Sequence, residues 1–133
     1  MSRLVTTLGL LGILPFLFAL LWPSLLVFKI YSLSILAFLA GNWWSTALLC
    51  RPQTTAQLVL VILLSNFVVL IALAAVLSEH SLALLVLAFL YLALLIGERL
   101  LPAFEKQPRY YSAMRLVVSA VVVLLHILAA WLF

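Results

Sequence analysis

Residues 56–77 read AQLVLVILLSNFVVLIALAAVL, an apolar run without a charged side chain. A helix that spans a membrane needs about 20 mostly apolar residues to cross a hydrocarbon core roughly 30 Å thick. Only Gln57, Ser65 and Asn66 interrupt this stretch with polar groups. The stretch therefore predicts a transmembrane helix.

The whole chain has the same character. Its 133 residues are 69% hydrophobic and 8% charged, whereas a soluble domain is nearly half apolar and about a quarter charged. This composition excludes a soluble globular protein. The sequence predicts a single domain over residues 1–133, an all-α polytopic transmembrane helix bundle. Its five spans are expected near 4–22, 25–50, 56–77, 82–101 and 110–131.

Basic residues in short loops face the cytoplasm, and their distribution sets the orientation of a membrane protein. Lys29 belongs to one predicted side of the membrane. The other predicted side carries the remaining basic residues, Arg3, Arg51, Arg99, Lys106, Arg109 and Arg115. With an odd number of spans, we expect a cytoplasmic N-terminus and an outward C-terminus. The predicted location is the bacterial inner (cytoplasmic) membrane, with multiple passes.

Chemistry-bearing residues are scarce. Cys50 is the only cysteine, which excludes an internal disulfide and a cysteine metal cluster. The chain contains no Asp, and its two histidines show no spacing that demands a metal or a haem. Phosphate-binding loops and nucleophile triads are also missing. We expect no catalytic residue, no cofactor and no metal. The net charge of +4 lies at membrane boundaries, so the bilayer and not nucleic acid is the expected partner.

Small residues follow one face of the second predicted helix. Ala37, Gly41 and Ser45 recur every four residues, and the first helix offers Gly9 and Gly12. Small residues let transmembrane helices approach and pack closely. We predict that these two helices pack together, with a homo-oligomer interface as the alternative.

Pro15 lies in the middle of the first predicted span. Proline removes one backbone hydrogen bond, so a kink is expected there, with a neighbouring helix satisfying the freed carbonyl. The alternative is a hinge or a binding notch.

Polar residues cluster toward the predicted cytoplasmic side. Asn42 is costly in hydrocarbon unless it is hydrogen-bonded, so it should point into the bundle. Glu98 and Arg115 lie near facing helix ends and are expected to form an ion pair. We predict a shallow polar pocket there; its candidate residues are Thr6, Thr7, Gly41, Asn42, Trp43, Trp44, Glu98 and Arg115. The alternative is that Asn42 only bonds across a tightly packed helix pair.

Three other polar positions have simpler interpretations. Lys29 is expected to reach outward or to pair with Glu79. Asn66, in the third span, is expected to have a structural role, with a substrate or partner site as the alternative. His126 has no evident partner in the sequence.

Three motifs resemble a known family of small membrane proteins. Residues 8–16, LGLLGILPF, are similar to its Leu-Gly-x-x-Gly-x-x-Pro-Phe opening, and residues 38–44, FLAGNWW, are similar to its Phe-Leu-Gly-Gly-x-His-Trp. The start of the last helix, Arg109-Tyr110-Tyr111 with Arg115, also fits. The chain thus resembles the domain-of-unknown-function family numbered thirty-four twenty-nine, which includes the mitochondrial transmembrane protein sixty-nine. The resemblance implies architecture and no activity. Trp43 stands where the family has His.

Two function classes remain. The first is a non-enzymatic accessory or assembly subunit of a membrane complex, which suits the short loops and the scarcity of buried charge. The second is a small oligomeric permease or channel for a neutral or weakly charged solute, which needs polar groups along a path. A native gel or a pull-down would distinguish the two classes. A stoichiometric membrane-protein partner would favour the first, and a homo-oligomer alone would favour the second.

Overall fold

Helices account for almost every residue that the structure describes. The computed structural model describes residues 2–21, 25–49, 55–78, 82–100 and 109–132. Its helices are α1 (Ser2–Leu11), α2 (Leu14–Leu21), α3 (Leu25–Leu49), α4 (Thr55–Leu77), α5 (Leu82–Leu100) and α6 (Arg109–Leu132). Together α1 and α2 provide one apolar span, and each of the other four helices provides another. The prediction of an all-α bundle with five candidate spans is confirmed.

The first span was predicted as one helix with a kink at Pro15, and in the structure it breaks fully at Gly12 and Ile13. Pro15 has no N–H to donate to the carbonyl of Leu11. The amides of Phe16 and Leu17 both donate to the Ile13 carbonyl, at 3.1 and 3.2 Å. The Gly12 carbonyl therefore lies outside this ladder.

A neighbouring helix satisfies the Gly12 carbonyl, which lies next to the Leu11 carbonyl that Pro15 itself leaves without its helical donor. The hydroxyl of Tyr31, on α3, donates to the Gly12 carbonyl at 2.8 Å. The break is thus stabilised by a side chain from the next span, because an unpaired carbonyl in an apolar surrounding is costly.

The two halves of the first span pack differently. The shorter helix α2 contacts both α3 and α6, whereas α1 packs on α6. Gly9 on α1 makes this close approach possible, since a Cβ atom there would collide with the Met114 side chain on α6. As a result, α1 leans away from α3, and a cleft opens between them.

The first two predicted spans do pack, through α2 and α3, but the small residues of α3 do not line this contact. A Cβ atom at Gly41 would meet nothing within 4 Å, and Ala37 and Ser45 are exposed. The physical reason is the lean of α1 toward α6, which brings Gly9 to Met114 and not to Ala37. The alternative, an interface with another molecule, stays a prediction.

We call the end of the bundle that carries Arg3, Arg99 and Arg109 the basic end. Arg3 lies in the first turn of α1, Arg99 in the last turn of α5, and Arg109 begins α6. The Gly9–Met114 approach aligns the starts of α1 and α6 at this end. Which compartment the basic end faces stays a prediction.

Candidate functional site

A buried ion pair lies near the basic end. The Arg115 guanidinium donates from Nη2 to Glu98 Oε1 at 3.1 Å and from Nε to Glu98 Oε2 at 3.2 Å. Both side chains are only 6% exposed. Arg115 Nη1 also donates to Ser119 Oγ at 2.9 Å, and Trp43 Nε1 donates to Glu98 Oε1 at 3.3 Å. This network neutralises both charges, because each meets its opposite in a two-pronged geometry.

Gly97 makes room for the indole of Trp43. A Cβ atom at Gly97 would collide with the outer carbons of the Trp43 ring. The ring therefore lies flush against α5, which brings its N–H to the neighbouring Glu98. Sequence reasoning did not single out Gly97, and its signal was only a glycine one position before a charged residue.

Asn42 joins α3 to α6 beside this network. Its Nδ2 donates to the hydroxyl oxygen of Tyr111 at 3.2 Å. A tyrosine hydroxyl can accept and donate at the same time. The proton of the Tyr111 hydroxyl has no acceptor among the described residues and remains available to a ligand.

The structure brings together part of the predicted polar pocket. Trp43, Glu98 and Arg115 form one network, and Asn42 lies next to it through Tyr111. Three other candidates lie outside the network: Thr6 is half-buried on α1, Thr7 is exposed and Gly41 is open. The side chain of Trp44 lies outside the described residues. A functional role for this set stays a prediction.

A cleft lies between α1 and α3, and α6 with Arg115 forms its floor. Its volume is about 390 Å³, within the range of small-molecule sites. It opens sideways between Leu8 and Phe38, which are 59% and 73% exposed on the lipid-facing surface. The lining residues are Val5, Leu8, Gly9, Gly12, Phe16, Ile35, Phe38, Leu39, Tyr91, Tyr111, Met114, Arg115, Val118, Ser119 and Val122.

A second polar cluster lies deeper in the bundle. His126 Nδ1 is 2.7 Å from the Val122 carbonyl, and Nε2 is 2.7 Å from Ser32 Oγ. Because a carbonyl only accepts, the proton is assigned to Nδ1, and Nε2 accepts from the Ser32 hydroxyl. Tyr91 in turn donates to the Ser32 carbonyl at 2.8 Å. The partner of His126, which sequence reasoning left open, is therefore Ser32.

This serine–histidine pair has the geometry of an activated nucleophile, but neither side chain is accessible from outside the bundle. Ser32 and His126 are fully buried, and the rings of Phe16 and Phe28 pack against the imidazole at 5.3 and 4.8 Å. Phe16 also belongs to the wall of the cleft. The pair therefore joins α3 to α6 and has no access to a substrate in this conformation.

Metal-ligating side chains do not converge in the part of the chain that the structure describes. No group of three His, Cys, Asp or Glu side chains that could hold a metal ion occurs there.

Lys29 lies at the opposite end of the bundle from Arg115. Its Nζ donates to the Ser78 carbonyl, just after the end of α4, at 2.8 Å. A cation stabilises the carbonyl end of a helix, where the helix dipole is negative. The predicted partner, Glu79, lies outside the described residues.

Asn66 is exposed at the midpoint of α4. Its Nδ2 donates to the Ile62 carbonyl of the same helix at 3.0 Å. No donor among the described residues reaches its Oδ1. A polar side chain thus faces the lipid near the centre of a span.

Comparison with known proteins gives a family and no more. The family described as "Protein of unknown function (DUF3429)" matches residues 1–131. No curated protein and no solved structure matches the chain.

Proposed function

We propose that this chain, which belongs to the family of proteins of unknown function DUF3429, is a non-enzymatic accessory or assembly subunit of a membrane complex. The observation that carries the proposal is Asn66, whose amide faces outward at the midpoint of α4. The proposal assigns α4 as the surface that binds another membrane protein.

The depth of Asn66 makes its exposure costly. Asn66 lies eleven positions from each end of α4, which is about 16 Å at 1.5 Å per residue. Asn66 therefore lies near the middle of a hydrocarbon core roughly 30 Å thick. An amide oxygen without a donor in an apolar medium costs roughly 2–7 kcal/mol. A partner helix that donates a hydrogen bond there would remove part of this cost.

The surface around Asn66 has the spacing of a helix–helix seam. Exposed residues recur at alternating intervals of four and three, the heptad pattern of packed helices. This outward seam consists of Val59, Leu63, Asn66, Leu70, Leu73 and Leu77. The apolar members suit lipid equally well, so Asn66 is the member that calls for a protein partner. The partner is a transmembrane helix with a hydrogen-bond donor at mid-depth.

Site-specific photocrosslinking in membranes tests this proposal. A photoreactive residue at Leu63 or Leu70 is expected to yield an adduct with a different membrane protein, and Asn66→Leu is expected to weaken it. Phe89, which is 66% exposed on α5, provides the control position. If Leu63 and Leu70 give no more adduct than Phe89, or if Asn66→Leu changes nothing, the proposed surface is wrong.

One observation supports the second candidate, a small oligomeric permease or channel. Arg115, Ser119 and His126 are all buried on α6 and lie along one face at intervals of four and seven residues. A polar path through the bundle would use such a face. However, these groups bind each other or neighbouring helices. In the crosslinking experiment, an adduct formed only with a second copy would favour this candidate.

We also propose in which membrane the chain lies and how it is oriented there. The basic end suits the cytoplasmic side of a bacterial inner membrane, since positive charge is retained there during insertion. The support is the placement of Arg3, Arg99 and Arg109 at one end, with Lys29 near the other.

A further inference from the structure

The cleft between α1 and α3 has the depth of one leaflet. Along α6 it is lined from Tyr111 to Val122, a distance of about 16 Å at 1.5 Å per residue. Half of a bilayer core is about 15 Å. The cleft begins two residues after Arg109, near the basic end, and ends at the rings of Phe16 and Tyr91 inside the bundle.

Its walls suit a hydrocarbon chain. Leu8 and Phe38 bound a mouth that faces the lipid, so a chain can enter from the surrounding leaflet. The floor contains Arg115, but Glu98 neutralises that charge. An acyl chain that enters from the leaflet gains no hydrophobic free energy, because it leaves hydrocarbon and not water; the apolar walls stabilise it through packing contacts along its length.

The basic end of the cleft offers groups that recognise an anion. Arg3 lies six residues before Gly9, and Arg109 lies five residues before Met114, so the Gly9–Met114 approach sets them at similar depth. The one acidic side chain among the described residues, Glu98, is bound to Arg115. Among the described residues, Arg3 and Arg109 therefore have no carboxylate partner and can bind an external anion. Tyr111, two residues after Arg109, lines the cleft at this end.

We propose that the cleft binds one acyl chain of an anionic phospholipid, whose phosphate contacts Arg3, Arg109 and the Tyr111 hydroxyl. Basic clusters at a membrane boundary attract anionic lipids, and the cleft adds a fixed place for the chain. The α4 surface takes no part, so this proposal and the proposed function fail independently.

Native mass spectrometry of the purified full chain provides the test. The protein is offered equal amounts of phosphatidylglycerol and phosphatidylcholine, and retained lipid is counted. We expect one retained phosphatidylglycerol molecule. Val118→Phe, which fills the cleft, should lower its retention by about tenfold. Val117→Phe, on the exposed lipid face of the same helix, is the matched control and should retain it.

Head-group recognition is tested separately. The double variant Arg3→Gln/Arg109→Gln should lose the preference for phosphatidylglycerol while retaining a lipid chain. Equal retention of both lipids by the natural sequence would overturn the anionic assignment. Unchanged retention in Val118→Phe would overturn the cleft. If Val118→Phe fails to fold, Ile35→Phe fills the cleft from α3 and decides the same question.

Discussion

At the scale of single residues, the Glu98–Arg115 pair has a large effect on stability, because both charges are buried. Two charges that leave water each lose several kcal/mol of solvation, which their mutual attraction has to offset. Three hydrogen bonds from Arg115 and one from Trp43 complete the network. Removal of one partner leaves an unpaired charge inside the bundle, whereas removal of both charges does not.

Arg115→Met is therefore expected to lower the free energy of unfolding by about 3–5 kcal/mol. Adding Glu98→Gln should recover much of this loss, because the amide is neutral and still accepts from Trp43. A double-mutant cycle, followed by helix content during denaturation in mixed micelles, measures the coupling. Additive effects of the two changes would show that the pair does not act as a unit.

The sequence predicted this ion pair because both residues lie near helix ends at the same boundary. It did not predict that Trp43 donates to Glu98 or that Ser32 pairs with His126. Apart from α6, whose Arg115, Ser119 and His126 share one face, the helices have no polar face that reveals how each is rotated. Only tertiary packing decides which side chains point at one another.

At the scale of elements, the broken first span shapes the cleft. Pro15 predicted a kink and a freed carbonyl that a neighbouring helix would satisfy; in the structure Tyr31 donates to the next carbonyl, that of Gly12. The lean of α1 onto α6 was not predictable, because it depends on Met114 filling the space beside Gly9. No periodicity in the sequence distinguishes that approach from the expected one to Ala37.

Tyr31→Phe should lower the free energy of unfolding by about 1–3 kcal/mol, because it leaves the Gly12 carbonyl without a donor. The matched control is Tyr110→Phe, an exposed tyrosine at the start of α6, where a change within about 0.5 kcal/mol is expected. Denaturation in mixed micelles compares the two variants. Equal effects would mean that the hydroxyl does not stabilise the break.

At the scale of the whole molecule, the number of spans was predictable and their arrangement was not. A run of about 20 apolar residues is a local property of the sequence, and the five segments are found as helices. The order in which helices touch depends on side chains far apart in the chain. We propose in addition that the bundle is oriented with its basic end in the cytoplasmic leaflet, where the anionic lipids lie.

Orientation is the claim on which the location of the cleft depends, and paired reporters fused after Phe133 test it most directly. Five spans with the basic end inside place the C-terminus outside. A reporter that is active only in the periplasm should therefore be active, and one that is active only in the cytoplasm should be silent. The reverse pattern would contradict the account.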